Sequence, residues 1–342
     1  MRSLLFLLFS IPLIAFSQQT INASITHDNV QRDYILYVPT MYNANNPTPL
    51  VLNFHGYTSN ANDQMWYGDF RLIADTANFL VVHPQGQLDN SGNTHWNVGW
   101  TGSIGDDVSF TAALIDSLSA IYNIDANRIY STGMSNGGFM SYLLACQLSG
   151  RIAAVASVTG GMGPLMMGNC NPQHPIPIME VHGTADFTVP YNGDTWLESV
   201  SSAMDYWVNF NQCDTQSVFT AMPNINTSDG STAEHFVWKN GLNGVEVEHY
   251  KIINGGHSWP GTSFFTANQD ISASIEIWRF FSKYDINGLI NPATSVIEIE
   301  KTNRQLLKVV DVLGRECLPK KNATLFYIFD DGTVEKKLII NN

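Results

Sequence analysis

Hydrophobic residues form short runs along most of the chain, separated by turns and by amphipathic segments. Runs of strand length are TPLVLNFHG, FLVVHPQG, NRIYSTGMS, AAVASVTGG, IPIMEVHGTAD and VEVEHYKIINGGH. Between them, helical spacing appears at about 67–78, at 107–122, in GGFMSYLLACQLS and in ISASIEIWRFFSKY. Strands that are apolar on both faces and alternate with helices predict a mostly parallel sheet with helices on both sides.

The pattern changes near the end of the chain. TSVIEIEKTNRQLLKVVDVLGRE and ATLFYIFDDGTVEKKLIIN read as strands with no helix between them, and Asp331–Gly332 is a hairpin turn signal. The last 52 residues also hold 8 of the 17 basic residues. We therefore predict a main domain at 18–284, a linker at 285–292 and a small β-rich domain at 293–342.

The first residues, MRSLLFLLFSIPLIAFSQQT, place one arginine ahead of an apolar run that ends in small residues. This is the pattern of a secretory signal peptide, with cleavage expected after Ser17. The apolar run is shorter than the ~20 residues of a membrane-spanning helix. The sequence predicts an exported protein, secreted or at the cell surface, without a membrane span.

The composition narrows the class of protein further. The chain is 44 % hydrophobic and 14 % charged, which is typical of a globular protein with a large core. Its formal charge of −13 argues against nucleic acid as a partner, because phosphate contacts need clustered lysine and arginine.

The chain has four cysteines, Cys146, Cys170, Cys213 and Cys317. Disulfides persist in exported proteins, and the spacings match no zinc site. We favour a bridge between Cys146 and Cys170, because the helix after residue 135 carries Cys146 towards the start of the strand that follows Cys170. Cys213 remains a competing partner.

Gly133-Met134-Ser135-Asn136-Gly137 has the form G-x-S-x-G and lies between an apolar strand and a helix. In that context the motif predicts a nucleophile elbow, in which flanking glycines permit a sharp turn and Ser135 is presented above the sheet. The alternative is an ordinary glycine-rich strand-to-helix turn.

A serine hydroxyl needs a base, and the base needs an acid to orient it. In the order typical of this fold, Asp186 follows the strand IPIMEV as the acid, and His257 follows VEHYKI as the base. Each has an alternative reading, as a turn aspartate and as a surface histidine. His182 and His249 lie within strands and His174 lies among prolines, so these three are weaker candidates for the base.

An oxyanion hole requires backbone N–H groups directed at the developing charge. We assign one to Asn136, next to the nucleophile. The second we assign to Tyr57, in the turn after the strand VLNF, and we interpret the His55 side chain there as structural.

Tryptophans are concentrated near the predicted site. Trp96 and Trp100 lie in the loop HWNVGWTG, and Trp259 lies two residues after His257. Loops at the carboxyl edge form the pocket in such sheets, so these rings are candidates for substrate binding. The alternative is that they only pack the loops. Two acids at 106–107 are typical of a helix start, and we predict no metal site.

Together, HGY, GMSNGG, GTAD and GGHSWPG resemble the secreted polyhydroxybutyrate depolymerases and the feruloyl or acetylxylan esterases of carbohydrate esterase family 1. The resemblance covers about residues 23–284 and implies an α/β-hydrolase fold. It implies Ser135 as nucleophile, Asp186 as acid and His257 as base, with oxyanion donors at Tyr57 and Asn136.

The tail, with NPATSVIEIE and GTVEKKLIIN, resembles the sorting domains of type IX secretion, although VLGRECLPKKN departs from that pattern. The alternative for the tail is a small carbohydrate-binding module.

These observations predict a secreted serine esterase that works through an acyl-enzyme and needs no cofactor. We expect a polymeric ester substrate, with feruloyl or acetyl esters of plant-wall polysaccharide ranked above hydroxybutyrate polyesters. The tail predicts the secretion machinery as a partner. A serine peptidase is a further rival, and so, from another class, is a non-catalytic surface binding protein on a hydrolase scaffold.

Overall fold

The computed structural model describes residues 18–263, 266–290, 306–311, 315–318, 324–329 and 334–338. The predicted signal peptide, the Asp331–Gly332 turn and the start of the tail lie outside these residues. The chain divides into two compact units, Met1–Ile290 and Asn291–Asn342. No helix within the described ranges is long and apolar enough to cross a membrane.

The strands and helices are numbered in chain order. The strands are β1 Gln19–His27, β2 Val30–Val38, β3 Thr48–Phe54, β4 Leu80–Pro84, β5 Gln87–Leu88, β6 Thr94–His95, β7 Ile124–Met134, β8 Ala154–Val158, β9 Ile178–Gly183, β10 Val218–Ala221, β11 Thr232–Trp238, β12 Val247–Ile253, β13 Tyr284–Asp285, β14 Gly288–Leu289, β15 Leu306–Val310, β16 Thr324–Phe329 and β17 Val334–Leu338. The helices are α1 Ala61–Tyr67, α2 Arg71–Ala77, α3 Asp107–Ser119, α4 Asn136–Gln147, α5 Pro164–Asn169, α6 Val200–Asn211 and α7 Ala273–Phe281.

A ten-stranded sheet organises the first unit, in the order β1-β2-β4-β3-β7-β8-β9-β12-β11-β10. Its central strands, from β4 to β12, are parallel, and antiparallel pairs close both edges. The predicted mostly parallel sheet is therefore confirmed. Because parallel strands end at the same edge, the loops after β3, β7, β9 and β12 meet there.

Helices cover both faces of the sheet, as the apolar runs require. Along β3, Leu50 and Leu52 belong to the core cluster under α3, α4 and α6, whereas Val51 faces the cluster under α2 and α7. Since strand side chains alternate, a fully apolar strand supplies both cores at once. The sequence patterns did not predict β1, the β10–β11 hairpin, α1, α5 or α6.

The acids at the start of α3 have structural partners. Asp106 caps the helix by accepting a hydrogen bond from Ser109 N. Asp107 is buried and pairs at 2.6 Å with Arg32, whose guanidinium lies 3.7 Å from the centre of the Phe110 ring. This buried ion pair joins β2 to α3.

The boundary between the two units, after Ile290, lies within the predicted linker at 285–292. Residues 284–289 form the β13–β14 hairpin, and Ile286 N donates to Asn127 O within the first unit. The first unit extends to Ile290 for this reason. In the second unit, β15, β16 and β17 form an antiparallel three-stranded sheet.

Candidate active site

Ser135 lies at a sharp turn between β7 and α4. Its backbone has φ 56° and ψ −122°, which is unusual for a residue other than glycine. A side chain at Gly137 would overlap the Phe54 carbonyl, so the turn can only be this tight with glycine there. The Ser135 N–H is held by Val158 O at 2.8 Å. This is the geometry of a nucleophile elbow.

The predicted acid and base are in direct contact. His257 Nδ1 lies 2.7 Å from Asp186 Oδ2, in a pair that joins the loop after β9 to the loop after β12. Asp186 Oδ1 also accepts hydrogen bonds from the N–H groups of Thr188 and Val189. Burial alone would raise the pKa of Asp186, but hydrogen bonds from His182 and His257 outweigh burial and lower that pKa.

An ionised Asp186 accepts a hydrogen bond from His257 Nδ1–H. The proton then stays on Nδ1, which leaves Nε2 free to act as a base. Among the described residues, no hydrogen bond joins Ser135 Oγ to the His257 ring. Such contacts are often long without substrate. The structure thus joins two members of the predicted triad directly, and it places the third at the same edge of the sheet, two strands away.

A buried network lies behind Asp186, the predicted acid. His182 Nε2 donates to Val189 O at 2.9 Å and lies 3.4 Å from Asp186 Oδ2, while His182 Nδ1 lies 2.8 Å from Glu180 Oε1. Tyr142 donates to the other oxygen of Glu180 at 2.9 Å. Burial disfavours a charged ring, but hydrogen bonds to Asp186 and Glu180 raise the pKa of His182 to about 9.

The sequence missed this network. Glu180 and His182 are two residues apart on β9, so they share a face of the strand, and this spacing was the available signal.

The two predicted oxyanion donors, Tyr57 in the turn after β3 and Asn136 at the start of α4, belong to segments that meet at Ser135. A Cβ on Gly56, the residue before Tyr57, would lie 3.4 Å from Ser135 Cβ. No hydrogen bond of the described residues is donated by the backbone N–H of Tyr57 or of Asn136. Two such unused donors beside the nucleophile are what an oxyanion hole requires.

Trp96 connects these two donor segments. Its Nε1 donates to His55 O at 2.9 Å, its N–H donates to Asn136 Oδ1 at 2.6 Å, and its carbonyl accepts from Asn136 Nδ2. His55 Nδ1 donates to Gly56 O, and its Nε2 accepts from Gly86 N. Burial lowers the pKa of His55 to about 4, so the ring stays neutral. His55 thus has the structural role predicted for it.

The structure corrects two of the three predicted substrate-binding tryptophans. Trp96 is fully buried, and Trp259 is 2 % exposed, with Nε1 donating to Ser274 and its ring against Phe70. Neither offers a face to a ligand, since both are covered by the elements they support. Trp100 is partly exposed and lines a cavity.

The cavity lies beside α4 and has a volume of about 1020 Å³. Trp100, Phe139 and Trp196 line it and contact one another, with ring centres 5.2 to 6.1 Å apart. Sequence reasoning missed Phe139 and Trp196. Phe139 lies one helical turn after Ser135, which was the available signal, whereas nothing local distinguishes Trp196.

The predicted disulfide is confirmed. Cys146 near the end of α4 is bonded to Cys170, which follows α5. Cys213, the competing partner, is buried and free.

Comparison with known proteins shows what this architecture is similar to. A family model described as Esterase PHB depolymerase matches residues 32–181. A bifunctional acetylxylan esterase/xylanase of Neocallimastix patriciarum is 28 % identical over 273 residues, which are 80 % of this chain and 36 % of the relative. A probable feruloyl esterase C of Aspergillus flavus is 32 % identical over 185 residues, covering 52 % of this chain and 63 % of the relative. The chain therefore spans less than two thirds of each of these two relatives.

Solved structures resemble the fold. An acetyl xylan esterase from Aspergillus awamori superposes with a TM-score of 0.56 at 15 % identity, covering 77 % of this chain and 99 % of that one. A ferulic acid esterase from Anaeromyces mucronatus superposes with a TM-score of 0.52 at 12 % identity, covering 80 % and 93 %. The protein has the α/β-hydrolase fold.

Proposed function

We propose that this protein is a serine carboxylic-ester hydrolase that acts through an acyl-enzyme. The observation that carries the proposal is the 2.7 Å contact between His257 Nδ1 and Asp186, at the sheet edge where the elbow presents Ser135. The unused N–H groups of Tyr57 and Asn136 support it, because they provide donors where a tetrahedral oxyanion would form.

The chemistry follows from these groups. Ser135 Oγ attacks the ester carbonyl while His257 Nε2 takes its proton, and the oxyanion is held by the N–H groups of Tyr57 and Asn136. His257 then gives the proton to the leaving alcohol. Water, deprotonated by the same ring, releases the acid and frees Ser135. Asp186 orients the ring and stabilises its charged form throughout.

We propose esters of plant-wall polysaccharide, feruloyl or acetyl, as the substrate class. The names of the acetylxylan and feruloyl esterase relatives support this choice, and so do the three rings in the cavity beside α4. The Esterase PHB depolymerase match favours a second candidate, a hydroxybutyrate polyester. A hydrolysis panel of methyl ferulate, acetylated xylan and hydroxybutyrate oligomers separates the two, and highest kcat/KM on the oligomers would reverse the ranking.

The test of the mechanism is labelling and substitution at the triad. An organophosphate should label Ser135 and inactivate the protein, and Ser135→Ala should abolish the label. Because triad residues act as one unit, the Ser135→Ala/His257→Ala variant should be hardly slower than either single variant. The exposed Ser91 provides the control, since Ser91→Ala should behave as wild type. Additive losses, or labelling elsewhere, would contradict the triad.

We also propose that the protein is exported, with residues 293–342 acting as its sorting domain. The apolar start of the chain and the resemblance of its tail support this. Since the first unit extends to Ile290, a chain ending there should fold and hydrolyse esters but fail to leave the cell. Normal secretion of that shortened chain would contradict the sorting role.

A further inference from the structure

The cavity beside α4, which we call the α4 cleft, is longer than an acyl group needs. It is lined along the helix by Phe139, Leu143, Cys146 and Gln147. At 1.5 Å per residue, Phe139 lies about 6 Å along the helix from Ser135 and Gln147 about 18 Å. A feruloyl group is roughly 9 Å long from its carbonyl carbon to its phenolic oxygen, at bond lengths near 1.5 Å. Its far end therefore stays short of Gln147.

The lining is suited to a neutral ligand with both apolar and hydroxylated faces. Trp196 is 42 % exposed and stacks at 23° on the buried Phe139, and the Trp100 ring lies edge-on to both. The exposed amide of Gln147 also lines the cleft and offers donors and an acceptor to hydroxyls, whereas the Asn97 amide already bonds the backbone of Gly99 and Gly105.

The charges of the cleft disfavour an ionic ligand. Among the residues that the structure describes, no lysine, arginine or histidine lines it. Its two acids are already used, because Asp106 caps α3 and Asp107 is paired with Arg32. An anion would find no cationic partner in the cleft, and a cation would have to compete with these bonds.

One side of the cleft is held in place by the disulfide. Pro164 and Leu165 of α5 line the cleft, yet α5 is a short helix with no buried residue. The bond between Cys146, on the α4 side, and Cys170, directly after α5, fixes that short helix against the longer one.

We propose that the α4 cleft binds the sugar chain that carries the scissile ester, so that its occupant is a neutral oligosaccharide on the alcohol side of the reaction. Trp196 stacks on a sugar ring, and the amide of Gln147 binds hydroxyls of sugars farther along the chain. This rests on the proposed esterase function and adds the binding site for its leaving group.

The experiment compares two esters with the same acyl group. In Trp196→Ala, KM for a feruloylated arabinoxylan oligosaccharide should rise up to about tenfold, the contribution of one aromatic stacking contact. The rise should be several times larger than that for methyl ferulate. The control is Trp66→Ala, which removes a half-exposed tryptophan on α1 outside the cleft, and it should change neither KM. Gln147→Ala should raise KM for long oligosaccharide esters more than for short ones.

Three results would overturn the proposal. Equal rises in KM for both esters would mean that the cleft binds the acyl group. No change in KM for either ester would mean that the cleft does not contact the substrate. A larger effect on hydroxybutyrate oligomers would assign it to a polyester chain.

A binding measurement separates failure of the cleft from failure of the esterase function. Unesterified arabinoxylan oligosaccharide should bind the Ser135→Ala protein in calorimetry and lose that binding when Trp196→Ala is added. Binding of this kind without any ester hydrolysis by wild type would contradict the esterase proposal and retain the cleft. Ester hydrolysis without such binding would contradict the proposed role of the cleft and retain the esterase proposal.

Discussion

Removal of the disulfide tests how this fold holds its cleft. In Cys146→Ala/Cys170→Ala, the unfolded chain regains the freedom that the bridge removes. For a sequence separation of 24 residues, loop-closure entropy predicts a loss of about 3.5 kcal/mol in the free energy of unfolding at 25 °C. With roughly 2–4 °C per kcal/mol for a domain of this size, Tm should fall by about 7–14 °C.

Denaturant unfolding followed by tryptophan fluorescence measures the loss. Wild type treated with reductant provides the control, because it loses the bridge but keeps both side chains. The free energy of unfolding of reduced wild type should approach that of the variant. The stability of the variant itself should not change with reductant. Since α5 has no buried residue, its position should also loosen, which raises KM for the oligosaccharide ester.

Two outcomes would refute this reasoning. A loss below about 1 kcal/mol would mean that the unfolded chain is already restricted around this loop or that the bridge is strained in the fold. If stability falls by the predicted amount while KM for the oligosaccharide ester is unchanged, α5 keeps its place without the bridge.

Three further predictions concern buried charges. Asp186→Asn should lower kcat by roughly 10³–10⁴-fold in ester hydrolysis, because the amide favours the wrong tautomer of the catalytic ring; a loss under tenfold would contradict its role. In wild type, the pKa of His182 is raised to about 9, so its contribution to stability is complete below pH 6.5 and is lost as pH rises through 9. Glu180→Gln removes one cause of the raised pKa, and thermal unfolding between pH 6 and 10 should show that loss beginning at lower pH; an unchanged profile would refute the coupling. Arg32→Met leaves Asp107 buried without its partner and should cost about 3–5 kcal/mol in denaturant unfolding, whereas a cost near zero would mean that the ion pair is dispensable.

Most of the candidate site could be predicted from local patterns. Ser135, Asp186 and His257 each follow a strand that is legible as an apolar run, and parallel strands end at one edge of a sheet. The same reasoning predicted the contact between Asp186 and His257 that the structure contains. The Cys146–Cys170 bridge followed from the direction of one helix.

The roles of the aromatic residues could not be predicted in this way. Trp96 and Trp100 are four residues apart in one loop, yet the first is fully buried and the second lines the α4 cleft. Trp196 is distant in sequence from both and contacts Trp100 across the fold. Whether a ring is buried depends on which elements pack over it, and residue spacing within one loop does not predict those elements.

The sequence by itself determined the parallel sheet, the elbow and the order of the candidate catalytic residues, because each depends on hydrophobic period and turn chemistry within a few neighbours. Only the tertiary structure decided that Trp96 joins the two oxyanion segments, that Glu180 and His182 lie behind Asp186, and that a cleft runs along α4. These features depend on contacts between residues far apart in the chain, which form only when the sheet brings its loops and helices together.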